Sequence, residues 1–398
     1  MRRCTITVAA VALACMLVGC GPQKKPGARR GDGAVAGRAK VSGKTEFAVS
    51  PKLVRRDVYT DIVFELKTPA DVTVAVLSKD GRVVRHIGCG VLGENAPEPF
   101  RKGSLTQKLT WDGRDDRGKP APPECRIMVG AGTRVVFDRH IEWGKPEEVK
   151  GKEGGCLAID RKREELYVAG PSVPGFFRAY GRTGRVHQME KISHNIWGGA
   201  PPTAETLAAA RVTDIALDMD GELYVRILKG GKSVVRRYDR GGISILFGNK
   251  REIELSLASP GSRSNGLAVD GNGDVYARSV VSGGKGRRGT VRDVMEVFGS
   301  YGRPRKTDKG FSVILAARAD GFGREAAPDV KRSGVKVRDR AGNLIASFGS
   351  RGEGSKEPYF QPSAAAISDE AVYVLNAANG RVVRGKITFA RRAELPVR

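Results

Sequence analysis

Residues 265–277 read Asn265-Gly-Leu-Ala-Val-Asp270-Gly-Asn-Gly273-Asp274-Val-Tyr276-Ala277. Four apolar-rich residues, an Asp/Gly turn and a second apolar strand with Tyr at its centre make a hairpin. The pattern recurs along the chain. Gly155-Cys-Leu-Ala-Ile-Asp160 leads to Glu165-Leu-Tyr167-Val, and Asp214-Ile-Ala-Leu-Asp218-Met-Asp220-Gly221 leads to Glu222-Leu-Tyr224-Val. Pro362-Ser-Ala-Ala-Ala-Ile-Ser-Asp369 leads to Ala371-Val-Tyr373-Val. Positions 157, 215 and 267 are 58 and 52 residues apart, and the 98 from 267 to 365 leave room for one decayed copy near 311–349. A third and a fourth strand follow each hairpin, as in Ser233 to Gly248, and the Phe-Gly ending returns at Phe298-Gly299 and Phe348-Gly349. A period near ~50 residues with about four strands per unit predicts a β-propeller.

These units resemble NHL repeats, whose consensus runs from a Gly-Ile-Ala-Val-Asp strand through an Asp/Gly turn to a Tyr-bearing second strand. Residues 265–277 match it best. The 214 copy lacks the leading glycine, and Asn376-Ala-Ala-Asn379-Gly380-Arg381 opens an NHL-like third strand in the last copy. Five blades are recognisable. Arg134-Val-Val-Phe-Asp138 is a candidate extra strand that would close the ring and hide its open edge. Thr203 to Arg211 is expected to form a short helix.

Upstream, Asp71-Val-Thr-Val-Ala-Val-Leu77 alternates like a half-buried strand. Lys79-Asp80-Gly81-Arg82 is a hairpin turn, and Val83 to Ile87 continues as its partner. The segment Leu109-Thr110-Trp111-Asp112-Gly113-Arg114-Asp115-Asp116-Arg117-Gly118 resembles the Trp-Asp-Gly signature of the immunoglobulin-like domain of the flagellar hook-capping protein. The resemblance implies a sandwich with Trp111 in its core. Where that domain opens its last strand with Gly and Tyr, this chain has Pro123-Glu124-Cys125-Arg126-Ile127. The fold class expected is all-β: a small antiparallel β-sandwich over 45–133, followed by a β-propeller of five or six degenerate NHL-like blades over 134–398.

The first residues speak to location. Arg2-Arg3, an apolar run from Ile6, and Leu17-Val18-Gly19-Cys20 follow the order of a bacterial export signal. The run is short of the ~20 residues that span a bilayer. Its end resembles the lipobox of bacterial lipoproteins, which implies a signal over 1–19, cleavage before Cys20 and lipidation of its thiol. Residues 20–44 then form a basic tether with seven Lys/Arg and one Asp, too polar to bury a core. A cell-envelope protein held at a membrane by its N-terminal lipid is expected, in either the inner or the outer membrane.

The chain carries 69 Lys+Arg against 44 Asp+Glu, and without Arg2 and Arg3 the remaining 67 against 44 leave +23. Inside a cell such a charge would suggest nucleic acid. Export points instead to anionic lipid, an acidic polysaccharide or another envelope protein. The densest basic cluster, Lys285, Arg287 and Arg288, lies in a Gly-rich loop; it and Trp197, which stands beside Gly198-Gly199, are candidate contacts with a ligand or partner. Cys89 and Cys125 fall within one domain and could pair, since export compartments permit disulfides.

None of His86, His140, His187 and His194 has metal-ligand spacing. The Asp218 and Asp270 loops begin like calcium loops, but their twelfth positions are Lys229 and Val281. Gly230-Gly231-Lys232-Ser233 lacks the first glycine of a phosphate loop, with Arg226 in its place. No cofactor, metal or catalytic residue is assigned. The function expected is non-catalytic binding or scaffolding through the propeller. A lyase or lactone hydrolase on the same fold, and polyanion binding by the basic surface, are the alternatives.

Overall fold

The computed structural model describes residues 45–142, 155–170, 175–198, 204–256, 266–283, 290–306, 318–349, 362–376 and 381–397. Cys20, the expected signal and tether over 1–44, and the Lys285, Arg287 and Arg288 cluster lie outside the described residues.

Six strands come first: β1 (Phe47–Arg55), β2 (Thr60–Leu66), β3 (Asp71–Leu77), β4 (Val83–Val91), β5 (Thr106–Trp111) and β6 (Arg126–Ile141). They form two facing antiparallel sheets, β1-β2-β5 and β4-β3-β6. In β5 the polar Thr106, Lys108 and Thr110 point out while Gln107, Leu109 and Trp111 point in, the period of two that a strand with one wet face requires. Ile62, Phe64, Val72, Val74, Val76, Leu109, Trp111 and Val129 fill the space between the sheets. β3 departs from its expected half-burial, because every residue in it is buried. Val72, Val74 and Val76 face the sandwich core, and Ala75 and Leu77 pack with Phe322 of the propeller on the other side.

The propeller follows. Blade one is β7 (Cys156–Asp160), β8 (Glu165–Ala169), β9 (Phe176–Tyr180) and β10 (Val186–Gln188). Two helices, α1 (Glu190–Trp197) and α2 (Ala204–Ala209), lead to blade two. Blade two is β11 (Ala210–Leu217), β12 (Leu223–Lys229), β13 (Lys232–Tyr238) and β14 (Ser244–Ile245), with β15 (Ile253–Leu255) also paired to β13. Blade three is β16 (Gly266–Val269), β17 (Val275–Gly283), β18 (Thr290–Phe298) and β19 (Pro304–Arg305). Blade four shows β20 (Glu325–Asp329), β21 (Gly334–Arg338) and β22 (Leu344–Phe348), and blade five β23 (Pro362–Ile367), β24 (Ala371–Asn376) and β25 (Arg381–Pro396). β7 packs beside β11 and β23, and β11 beside β16.

Blade five takes its outer strand from far upstream. β25 pairs with β6 from Val382↔Ile141 to Pro396↔Arg126. The Val135–Ile141 half of β6 thus closes the ring, as the Arg134–Asp138 segment suggested. Its other half, paired with β3 from Val72↔Ala131 to Leu77↔Arg126, belongs to the sandwich. One six-stranded sheet, β23-β24-β25-β6-β3-β4, runs through both parts.

The repeated tyrosines are packing residues. Tyr167, Tyr224, Tyr276 and Tyr373 are all at most 1 % exposed. The Tyr224 and Tyr276 hydroxyls donate to Asp218 and Asp270 of their own turns, at 3.4 and 3.0 Å, and the Tyr373 hydroxyl accepts from Arg384 at 3.2 Å. Blade four is the decayed copy. Its Asp320 turn has the same bonds as those of Asp218 and Asp270, one carboxylate oxygen accepting from the backbone two and four residues on. By that register β20 stands where β12 and β17 stand, and Ala326 takes the tyrosine's place.

Candidate functional site

The turns before the second strand of blades one, two, four and five meet on the face covered by the sandwich. The β3–β4 hairpin and the loop after Trp111 reach over this face, and beneath them a cavity of about 760 Å³ runs into the mouth of the central channel. Residues of both parts line it: Ser78, Val83, His86 and Asp116 above, with Leu157, Asp160, Leu217, Arg318, Ala365 and Asp369 below.

His86 joins roof to ring. Its Nδ1 lies 2.5 Å from Asp116 Oδ2, and its Nε2 lies 2.8 Å from Asp369 Oδ2 in the blade-five turn. Burial alone would push the imidazole pKa down, but the two carboxylates outweigh it and hold the pKa above its ordinary 6.5. Burial of Asp369 is likewise outweighed, chiefly by His86, and its carboxyl stays below the usual range. The ring packs edge-on against Phe322 at 4.5 Å, and on that aromatic face lies the Arg324 guanidinium at 4.9 Å. Gly321 permits this approach, since a Cβ there would lie 2.2 Å from His86 Nε2.

Arg324 and Asp320 form a fully buried pair at 2.6 Å, and Arg324 also donates to the Asp369 carbonyl at 2.9 Å. Val91 N donates to Asp339, and Asn95 and Asn343 exchange hydrogen bonds, so blade four is fastened to the sandwich at several points.

The remaining acids at the mouth are committed. Asp160 accepts from Arg163 at 2.8 Å, Glu164 from Ser368 at 2.7 Å and from Arg182, and Glu370 from Arg182 at 3.2 Å. Asp115 and Asp218 each receive two backbone N–H groups of their own turns. Deeper in, Asp214 accepts from Arg318 at 2.6 Å and from the Ile215 and Leu267 amides, and burial raises its pKa. On the cationic side, Arg161 and Lys162 are anchored on the main-chain oxygens of Ala319 and Met219. Exposed Arg117 makes no side-chain ion pair among the described residues. Between rim and floor the wall is apolar, with half-buried Leu157, Ile159, Leu217 and Ala365. Among the described residues, no three His, Cys, Asp or Glu side chains come together in a way that could hold a metal ion.

Two candidate contacts change character. Trp197 is a core residue, buried among Phe176, Ile196 and Val212, with its Nε1 donating to the Ala210 carbonyl at 2.7 Å. The segment 190–197 is the amphipathic helix α1, and it turns the indole inward. Cys89 and Cys125 are two free thiols in different clusters, one beside Thr73 and the other beside the Pro122 carbonyl. They belong to opposite faces of the β4-β3-β6 sheet. Burial pushes the Cys89 thiol up to about 12. His86, Asp116 and Asp369 escaped the sequence because they are 30 and 283 residues apart. Only the second aspartate after Asp112-Gly113, beyond what the turn itself uses, was a signal.

No family model matches the sequence, and no curated protein matches it. Solved structures similar to it include virginiamycin B lyase from Staphylococcus aureus, at 9 % identity over 65 % of this chain and 99 % of that one, TM-score 0.32. Regucalcin from Agrobacterium tumefaciens, a calcium-binding protein, is 15 % identical over 58 % of this chain and 77 % of that one, TM-score 0.28. Polysaccharide lyase Uly1 is 10 % identical over 86 % and 90 %, TM-score 0.27. Likeness at this level says nothing of ligand or chemistry, and the fold rests on the sheet order itself.

Proposed function

We propose that this chain is a lipid-anchored protein of the bacterial cell envelope that binds a ligand at the roofed mouth of its propeller channel without transforming it. The observation that carries the proposal is the commitment of the histidine and the carboxylates around a cavity of about 760 Å³. That volume falls in the range of small-molecule sites, ~300–1,000 Å³. Yet the mouth carboxylates are each tied up by a turn, a hydrogen bond or an ion pair, and His86 is held between Asp116 and Asp369, joining the two parts. A general acid or base needs a proton-transfer atom turned toward the reacting group.

Native mass spectrometry of full-length protein isolated from its own membranes tests the reading. A bound mass is expected on the wild type and not on Ala365→Phe, which fills the channel wall. A variant that melts like the wild type yet keeps the mass, or a wild type with none, overturns it. Anchoring rests on the Leu17-Val18-Gly19-Cys20 pattern. Cys20→Ser is expected to move the protein from the membrane to the soluble fraction, and unchanged membrane association would refute the anchor.

A further inference from the structure

We infer that the ligand of the roofed channel mouth is a small carboxylate with an aliphatic body; this rests on the binding function proposed above and specifies its ligand. Three observations converge. The first is a pair of cations, Lys162 and Arg117, that no carboxylate holds among the described residues. The mouth acids are occupied by His86, Arg163, Arg182 and Ser368, or by the amides of their own turns. Lys162 holds only the uncharged Met219 carbonyl, and Arg117 overhangs the opening with no side-chain ion pair among the described residues. An arriving carboxylate can replace the Met219 carbonyl on Lys162 and pair with Arg117, while the mouth acids keep the partners they already have.

The second is the wall. Leu157, Ile159, Leu217 and Ala365 remain half-buried where the inner strands face the channel, and Met219, 67 % exposed, extends the apolar surface to the rim. An aliphatic chain covering these groups gains the free energy of burying apolar surface on both sides. The third is what the lining lacks. Among the described residues that line the cavity, none is Trp, Tyr or Phe. A sugar ring would find no aromatic face to stack on, whereas a flexible alkyl chain needs none.

Titration calorimetry on the full-length protein, with octanoate, octanamide and acetate kept below micellar concentrations, tests the assignment. Octanoate is expected to saturate a single site. Octanamide, without the charge, and acetate, without the chain, should each bind at least tenfold more weakly. Replacing Lys162→Ala together with Arg117→Ala should weaken octanoate about fivefold and leave octanamide unchanged. Ala365→Phe, or Leu217→Glu should the first variant fail to fold, should remove octanoate binding.

Octanoate binding no better than octanamide, or untouched by the double substitution, overturns the ligand class, as does a failure of octanoate to bind. Saturable binding of a galacturonate oligomer in place of octanoate, blocked by Ala365→Phe, would overturn the aliphatic carboxylate and leave the binding function standing. The co-purified mass decides that function independently.

Discussion

At the scale of single residues, Trp111 and His86 show two uses of the same loop. Trp111 is 5 % exposed, packs in the sandwich core and donates from Nε1 to the Arg114 carbonyl at 2.9 Å, which ties the loop to the strand before it. Trp111→Ala leaves a cavity and should cost about 3–5 kcal/mol; a denaturant midpoint equal to the wild type's would show that the indole carries no such load. His86 depends on pH. Its pKa in the folded chain is raised, so the folded state holds the proton more tightly than the unfolded one. Its stabilising effect is therefore full below the unfolded pKa, near 6.5, and is lost as pH rises through the higher folded pKa. The melting-temperature gap between wild type and His86→Ala should be widest below pH ~6.5 and shrink above it. A gap that widens with pH would refute the doubly paired imidazolium.

At the scale of elements, the β6–β25 ladder is the decisive feature. Two 16-residue strands pair along their lengths and serve a blade at one end and a sandwich at the other. The ladder has little slack. Gly385 lies where a Cβ would come within 2.5 Å of Val135 and 3.0 Å of Phe348. Gly385→Val should overpack this junction and cost about 1–3 kcal/mol, measurable as a lower denaturant midpoint; no shift would mean that blade four and the ladder are loosely packed there. Blade four shows a repeat giving up its own pattern to a neighbour. Ala326 replaces the tyrosine, while the turn residues Phe322 and Arg324 are buried against the sandwich.

At the scale of the whole molecule, sandwich and propeller should not unfold separately. They share a six-stranded sheet, a buried cluster of Ala75, Leu77, Cys89, Met128 and Phe322, and the His86 bridge. Opening either part would break ladder hydrogen bonds of the other and strand the Arg324–Asp320 pair in a half-open interface. Calorimetry should give one unfolding endotherm, with Trp fluorescence and far-ultraviolet dichroism changing together. Two resolved transitions would show that the shared ladder does not couple the parts. The same coupling makes the cavity depend on both parts, because some of its wall is roof and the rest is ring.

The repeats near Leu157, Ile215, Leu267 and Ala365 determined the blades, and the Trp-Asp-Gly loop with its alternating strands determined the sandwich. The first is a local periodicity, written in neighbouring residues by the geometry of a strand and a turn; the second was implied by a resemblance and by alternation in the strands beside it. Even the closing strand at Arg134–Asp138 was legible, because a propeller of strands cannot leave an edge open. The site was not. His86 meets Asp369 only after the chain has travelled round five blades, and Lys162, Met219 and Arg117 come to one opening from three separate turns. Trp197, beside two glycines, could be read as an exposed anchor or as a buried residue, and only its packing against the blade-two strand at Ala210 decided that it is buried. Packing of one part against the other is a long-range event with no period to betray it. The tertiary structure alone settled that the channel mouth is roofed, which charges are spent in holding the roof, and which have no ion pair among the described residues.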